Sequence, residues 1–163
     1  MKKSNTIHER IFNSEELKQE LIRQRLKSKT IAFTNGVFDI LHEGHIEVLS
    51  KAATFGDILI VGINSDASVK KIKGDSRPVN NENSRALLIA SLIMADAVII
   101  FNEETPLELI KKIMPDVLIK GGDYTIENIA GAKEVMAAGG KVEVIPLKEG
   151  FSTSGIIDKI CRI

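Results

Sequence analysis

Cysteine is all but missing from this chain: Cys161, two residues from the end, stands alone. That excludes an intramolecular disulfide and any cysteine-rich metal cluster. Net charge is missing as well, because 22 Lys and Arg balance 22 Asp and Glu. No whole-protein field draws the chain to nucleic acid or to an anionic membrane, so neither is expected as a partner and phosphate-binding charge must be local. No apolar run approaches the length of a membrane span, and residues 1–20 hold no apolar leader segment; the expected location is the cytoplasm. Neither a repeat nor a low-complexity tract is present, which sets aside solenoids and disordered arrays.

What is there fits one core: 163 residues with 44% apolar content are enough for one domain of ordinary size. Short β-branched runs recur at residues 30–34, 58–63, 97–101, 117–119 and 142–145. Helical patterns separate them, which predicts an α/β fold, a doubly wound sheet of about five parallel strands with helices on both faces. The last run alternates Val142, Glu143, Val144 and is expected at an edge. Residues 86–94 are apolar nearly all round and predict a buried helix. Thr105-Pro106 with Glu108 predicts a capped helix start, and Gly139-Gly140 a helix stop. Residues 1–29 precede the first strand and carry one amphipathic helix, at about 15–25, with Leu17 and Leu21 on one face. They are read as an N-terminal helical extension that packs rather than reacts, which leaves 30–163 as the domain.

The informative stretch follows the first of those strands: Asn35-Gly36-Val37-Phe38-Asp39-Ile40-Leu41-His42-Glu43-Gly44-His45. In an open α/β sheet ligands bind at the carboxyl ends of the strands, where this stretch must lie. Gly36 and Gly44 are too far apart for a G-x-G-x-x-G turn, so hydride transfer on a dinucleotide is not indicated. His42 and His45, three apart at a helix start, bring both imidazoles to one side of the first turn. The helix N-terminus adds unpaired N–H groups, and Gly44 lets a phosphate approach the backbone. A zinc site of the H-E-x-x-H kind fails, because the second histidine comes one position early and no third ligand is evident.

Further along, Lys70, Lys71, Lys73 and Arg77 cluster in a Gly- and Ser-bearing loop before Pro78, with Arg85 on the next helix; Lys73, Arg77 and Arg85 are candidate triphosphate clamps. Lys120-Gly121-Gly122-Asp123 follows the fourth predicted strand, where Gly121 and Gly122 admit a nucleotide against the backbone and Asp123 accepts from ribose or base. Ser152, Thr153 and Ser154 open the final helix, where hydroxyls cap the helix and bind phosphate equally well. His8 has no motif around it.

On these residues the sequence resembles the cytidylyltransferase-like family: His42 to His45 match its H-x-G-H element, and Ser152 to Ser154 its late hydroxyl motif. Residues 34–45, Asn64-Ser65-Asp66, residues 73–80, residues 120–124 and Ile129-Ala130-Gly131 together resemble the D-glycero-β-D-manno-heptose 1-phosphate adenylyltransferases, over about residues 30–160. H-x-G-H alone marks only the superfamily; the ordered set of five segments is more specific. The resemblance implies a Rossmann-like nucleotidylyltransferase fold over 30–163. It implies ATP and heptose 1-phosphate as substrates, ADP-heptose and pyrophosphate as products, and a role in the lipopolysaccharide core. Mg²⁺ would be bound with the triphosphate rather than at a protein-only site. In many such relatives the domain is fused to a ribokinase-type sugar kinase, for which 163 residues leave no room, so a separate sugar kinase upstream is expected; relatives suggest a homodimer or higher oligomer. His42, His45 and Lys73 are the expected catalytic groups. Thr34, Asn35, Gly36, Phe38, Gly44, Arg77, Gly121, Gly122, Asp123 and Ser152 to Ser154 are expected around the nucleotide, and Asp39, Asp66 and Arg85 at the acceptor or ion. Glu43 stands where relatives often carry proline, and Val37 where cysteine is common. A cytidylyltransferase acting on glycerol phosphate or another alcohol phosphate, and a non-catalytic nucleotide-sensing module, are the alternative readings.

Overall fold

The computed structural model describes residues 6–147 and 150–163. A six-stranded sheet in the order β1-β4-β3-β2-β5-β6, with every pairing parallel, is built from β1 (Ile11–Phe12), β2 (Ile31–Gly36), β3 (Ile58–Asn64), β4 (Ala97–Phe101), β5 (Val117–Gly121) and β6 (Lys141–Ile145). The helices are α1 (Ser14–Leu26), α2 (Glu43–Ala52), α3 (Asp66–Lys73), α4 (Glu82–Ala90), α5 (Leu107–Ile113), α6 (Ala132–Ala137) and α7 (Thr153–Ile160). The doubly wound parallel sheet expected from the alternation of runs is therefore present, with β6 at one edge. The sixth strand, β1, lies within the stretch read as a helical extension and pairs with β4. Two residues are too short a run for hydrophobic periodicity to register.

The sheet has a core on each face, as two-sided burial requires. Val48, Leu49 and Ala52 of α2 pack with Ala86, Ile89 and Ala90 of α4 over Ala32, Val61 and Ile119. Across the sheet, Leu17 and Leu21 of α1, Leu109 and Ile110 of α5 and Val135 of α6 cover Ile31, Phe33, Ile60 and Leu118. α1 thus contributes its predicted face to the main core. A fully buried Leu or Ile of this kind stabilises the fold by roughly 1.5–3 kcal/mol.

Four helices start on side-chain caps: Asn13 for α1, in a full capping box with Glu16; Ser65 for α3; Asn81 for α4; and Ser152 for α7. Gly139, at φ +86, follows α6 in the left-handed region where a glycine stop is cheap. Three expectations are corrected. The Thr105 cap does not form; Pro106 takes the cap position of α5 without a side-chain hydrogen bond, because a prolyl φ suits the entry itself. The apolar stretch 86–94 is not one buried helix: α4 ends at Ala90, Leu88 is 44% exposed and Ile93 86% exposed. Only the face of α4 turned to the sheet finds cover. Lys70, Lys71 and Lys73 lie on α3 rather than in a loop, since the Ser65 cap and buried Val69 start a helix there.

Candidate functional site

β2 is the switch point. The chain moves from β2 through α2 to β3 on one side, and later enters β5 on the other, which opens a crevice beyond the carboxyl ends of β2 and β5. Asn35 and Gly36 end β2, Lys120 and Gly121 end β5, and the Lys120 ammonium donates to Asn35 Oδ1 at 3.3 Å across the crevice. Burial pushes the Lys120 ammonium below its usual range, as expected for a cation withdrawn from water. The ammonium also lies 5.6 Å from the Tyr124 ring centroid.

The loop after β2 delivers the histidines. His42 occupies the cap position of α2 but makes no capping hydrogen bond, unlike the Asn or Ser of the four capped helices, so its ring is turned to another use. Its imidazole stacks on that of His45, with centroids 3.8 Å apart and planes 20° from parallel. The Nδ1 atoms of both rings are buried and find no protein partner among the described residues. Burial, seconded by the neighbouring His42, pushes the His45 imidazole down to about 4, and burial also lowers His42. Both rings are therefore neutral at pH 7, each with one N–H to donate.

Two aromatic side chains flank the pair. Phe38 meets His45 edge-on at 5.2 Å, and Phe151 stacks on His42 with centroids 6.4 Å apart. A Cβ on Gly44 would stand 3.2 Å from the His42 ring and 3.3 Å from Phe151 Cβ. The space that glycine leaves is thus taken by the His42 ring and the Phe151 side chain. Through Phe151 the hydroxyl run is brought beside the histidines: Ser152 accepts from the Gly155 N–H, and Thr153 and Ser154 form the first turn of α7. Two helix N-termini, with their positive dipole ends, meet at one place.

The loop is held from behind by charge. Phe38 has a left-handed backbone, φ 50, costly for a non-glycine residue unless its surroundings fix it. The Asp39 carboxylate accepts from Arg77 Nε at 2.7 Å, and from the N–H groups of Val79 and Asn80, each at 2.8 Å. Burial alone would raise its pKa, but the Asn80 and Val79 N–H groups and the Arg77 guanidinium outweigh that and hold it low. Arg85 is wholly buried and donates to Asn80 O at 2.9 Å, Val37 O at 2.7 Å and Asp66 Oδ1 at 2.8 Å.

The expected site residues therefore divide. Thr34, Asn35, Gly36, Phe38, His42, Gly44, His45, Gly121, Gly122 and Ser152 to Ser154 gather at the ends of β2 and β5 and the starts of α2 and α7, and Asp123 follows, exposed. Lys73 is exposed in the last turn of α3. Arg85, expected as a clamp or acceptor contact, is enclosed and bonded to the framework. Asp39, expected at the ion, has both oxygens engaged. Arg77 spends its Nε on Asp39, and Asp66 accepts from Arg85. Spacing could not reveal this, because Asp39 and Arg77, Arg85 and Val37, and Arg85 and Asp66 lie 19 to 48 residues apart. Lys120 opens the Lys120-Gly121-Gly122-Asp123 motif and Phe151 directly precedes the Ser152 to Ser154 run, but the sequence reading gave neither a role.

The chain matches the cytidylyltransferase-like family model over residues 33–159. It is 54% identical to the bifunctional protein HldE of Campylobacter jejuni subsp. doylei over 93% of its length, covering 32% of that protein. It is 50% identical to the protein of that name from Escherichia coli O157:H7 over 92% of its length, covering 31%. The chain thus spans about a third of the length of these relatives. Among solved structures, a lipopolysaccharide core biosynthesis protein from Thermoplasma volcanium aligns with TM-score 0.58 and 27% identity, over 74% of this chain and 97% of that one. A pantoate-beta-alanine ligase from Francisella tularensis, at 17% identity, aligns with TM-score 0.60 over 94% and 78% and shares the fold.

Proposed function

The chain belongs to the cytidylyltransferase-like family, and from that premise we propose that it joins ATP to D-glycero-β-D-manno-heptose 1-phosphate, giving ADP-heptose and pyrophosphate for the lipopolysaccharide core. The stacked pair His42 and His45, at the uncapped start of α2 beside the sheet's switch point, is the observation that carries the transfer chemistry. Identity near 50% to proteins named HldE and likeness to a lipopolysaccharide core biosynthesis protein support the acceptor.

A phosphate monoester has a second pKa of about 6, so the sugar phosphate reaches the site largely as a dianion and needs no general base. The task is to align its oxygen with the α-phosphorus and to meet charge on the transferring group and the departing pyrophosphate. The new P–O bond forms as the bond to pyrophosphate breaks. His42 and His45 donate to the α- and β-phosphate oxygens, Ser152 to Ser154 and the N–H groups of α7 hold the outer phosphates, and Lys73 reaches in from α3. Lys120 joins them from the end of β5. Thr34, Asn35, Gly36, Gly44, Gly121, Gly122 and Asp123 shape the nucleotide's bed. Asp39, Arg77, Asp66 and Arg85 hold the loop that carries the histidines.

Among the described residues no three His, Cys, Asp or Glu side chains group as a metal site, and the Asp39 oxygens are engaged. The residues fit a Mg²⁺ that arrives on the triphosphate, where it supplies charge neutralisation. A sugar kinase activity provides the heptose 1-phosphate, and the chain acts as a homodimer or higher oligomer. No described helix is long and apolar enough to cross a membrane, which is compatible with work in the cytoplasm.

The test is a pyrophosphate-release assay with ATP or CTP against a panel of phosphorylated acceptors. Release with ATP and the heptose 1-phosphate is expected. Release only with CTP and an alcohol phosphate overturns the acceptor and base, and nucleotide binding without release overturns the transfer.

A further inference from the structure

Phe151 is a member of the site that the proposed mechanism leaves without a task. It stands just before the capping Ser152, with its ring 26° from the plane of His42. With Phe38 on the inner side, the rings form one column, Phe151, His42, His45, Phe38, from the surface to the core. Phe151 is 37% exposed and Phe38 only 6%. Gly44 makes the column possible, since any side chain there would push on both His42 and Phe151.

A working histidine is ordinarily oriented by a hydrogen bond on its second nitrogen. Here neither Nδ1 has a protein partner among the described residues, so no such bond fixes the ring planes. Stacking is left to fix them. Phe38 is anchored by its buried loop, but α7 buries no side chain of its own among the described residues. The outer end of the column therefore depends on the Phe151 ring.

We propose that Phe151 is a positioning residue: carried at the head of α7, it holds the His42 imidazole face-on to His45, so that both rings meet a nucleotide's phosphates in one fixed orientation. Its consequence for turnover rests on the nucleotidyltransferase reading; its consequence for the ring does not.

The test compares Phe151→Ala and Phe151→Tyr with the parent protein by NMR titration of the histidine rings without substrate, and by steady-state kinetics. In Phe151→Ala, His42 should titrate closer to its ordinary value of 6.5, because burial is what lowers it. Its kcat should fall by roughly 10- to 10²-fold, the scale of a misplaced catalytic group, with KM for ATP changing far less. Phe151→Tyr should restore both. If Phe151→Ala does not fold, Phe151→Leu, which keeps apolar bulk and with it the burial of His42 but lacks a flat ring, should still lower kcat. An unchanged His42 titration in Phe151→Ala, or unchanged kcat in a folded variant that lacks the ring, overturns the proposal. A parent protein that releases no pyrophosphate with any acceptor overturns the function instead, and the titration still decides the column.

Discussion

The imidazoles of His42 and His45 lie face to face, 3.8 Å apart and 20° from parallel, so neither can gain a proton without raising the cost of protonating the other. A neutral pair that donates N–H bonds to oxygens gaining charge acts as part of an oxyanion hole. Replacing His45 with Ala should lower turnover by roughly 10² to 10³, the usual effect of losing one such donor. Pyrophosphate release measures it, and parent-like turnover would remove His45 from the mechanism.

The same burial makes stability depend on pH. His45 has a folded pKa of about 4 against an ordinary 6.5, so between those values the unfolded chain binds more protons. Its contribution is fully present above pH 6.5 and is lost as pH falls toward about 4. Asp39, held below its ordinary 3.8, loses its contribution only as pH falls below that value. Urea midpoints should drop from pH 7.5 to pH 5, and less so in His45→Gln. An equal drop in that variant would assign the slope to other groups.

Arg85 and Asp39 read as ligand contacts in the sequence and as framework in the structure. Replacing Arg85 with Met would leave Asp66 and the carbonyls of Val37 and Asn80 without their donor. Asp66, 33% exposed, keeps water, but each buried carbonyl left unpaired costs about 1–3 kcal/mol, read as a fall in urea midpoint. A direct clamp would behave differently, with stability kept and ATP affinity lost.

Lys120 offers the reverse contrast. Among the described residues its ammonium meets Asn35 Oδ1 and the Tyr124 ring, so Lys120→Met should leave the urea midpoint close to that of the parent. A charged hydrogen bond to phosphate is worth about 1.5–3 kcal/mol, which corresponds to a 10- to 10²-fold weaker Kd for ATP by calorimetry. Unchanged affinity would place the ammonium outside the nucleotide site.

The contrast among these residues marks what a sequence makes legible. The five longer strands, the Leu17 and Leu21 face of α1, and the paired histidines were readable because periodicity and short spacing are local. β1 escaped because two residues carry no period. α3 was hidden inside a basic run whose lysines drew attention from the Ser65 cap. The roles of Asp39, Arg77 and Arg85 were not readable, because a buried ion pair and an exposed clamp use the same side chains and differ only in what folds against them. Phe151 adjoins the hydroxyl motif, yet its stacking on His42 exists only once α7 is set beside α2.

The most direct measurement is a crystal structure of the chain with Mg²⁺ and α,β-methylene-ATP, an analogue that resists transfer at the α-phosphorus. The α- and β-phosphate groups are expected within hydrogen-bonding distance of both imidazoles, over the first turn of α2 and beside the Ser152 to Ser154 turn. Phosphates lying away from both rings, with the stacked pair undisturbed, would contradict the assignment.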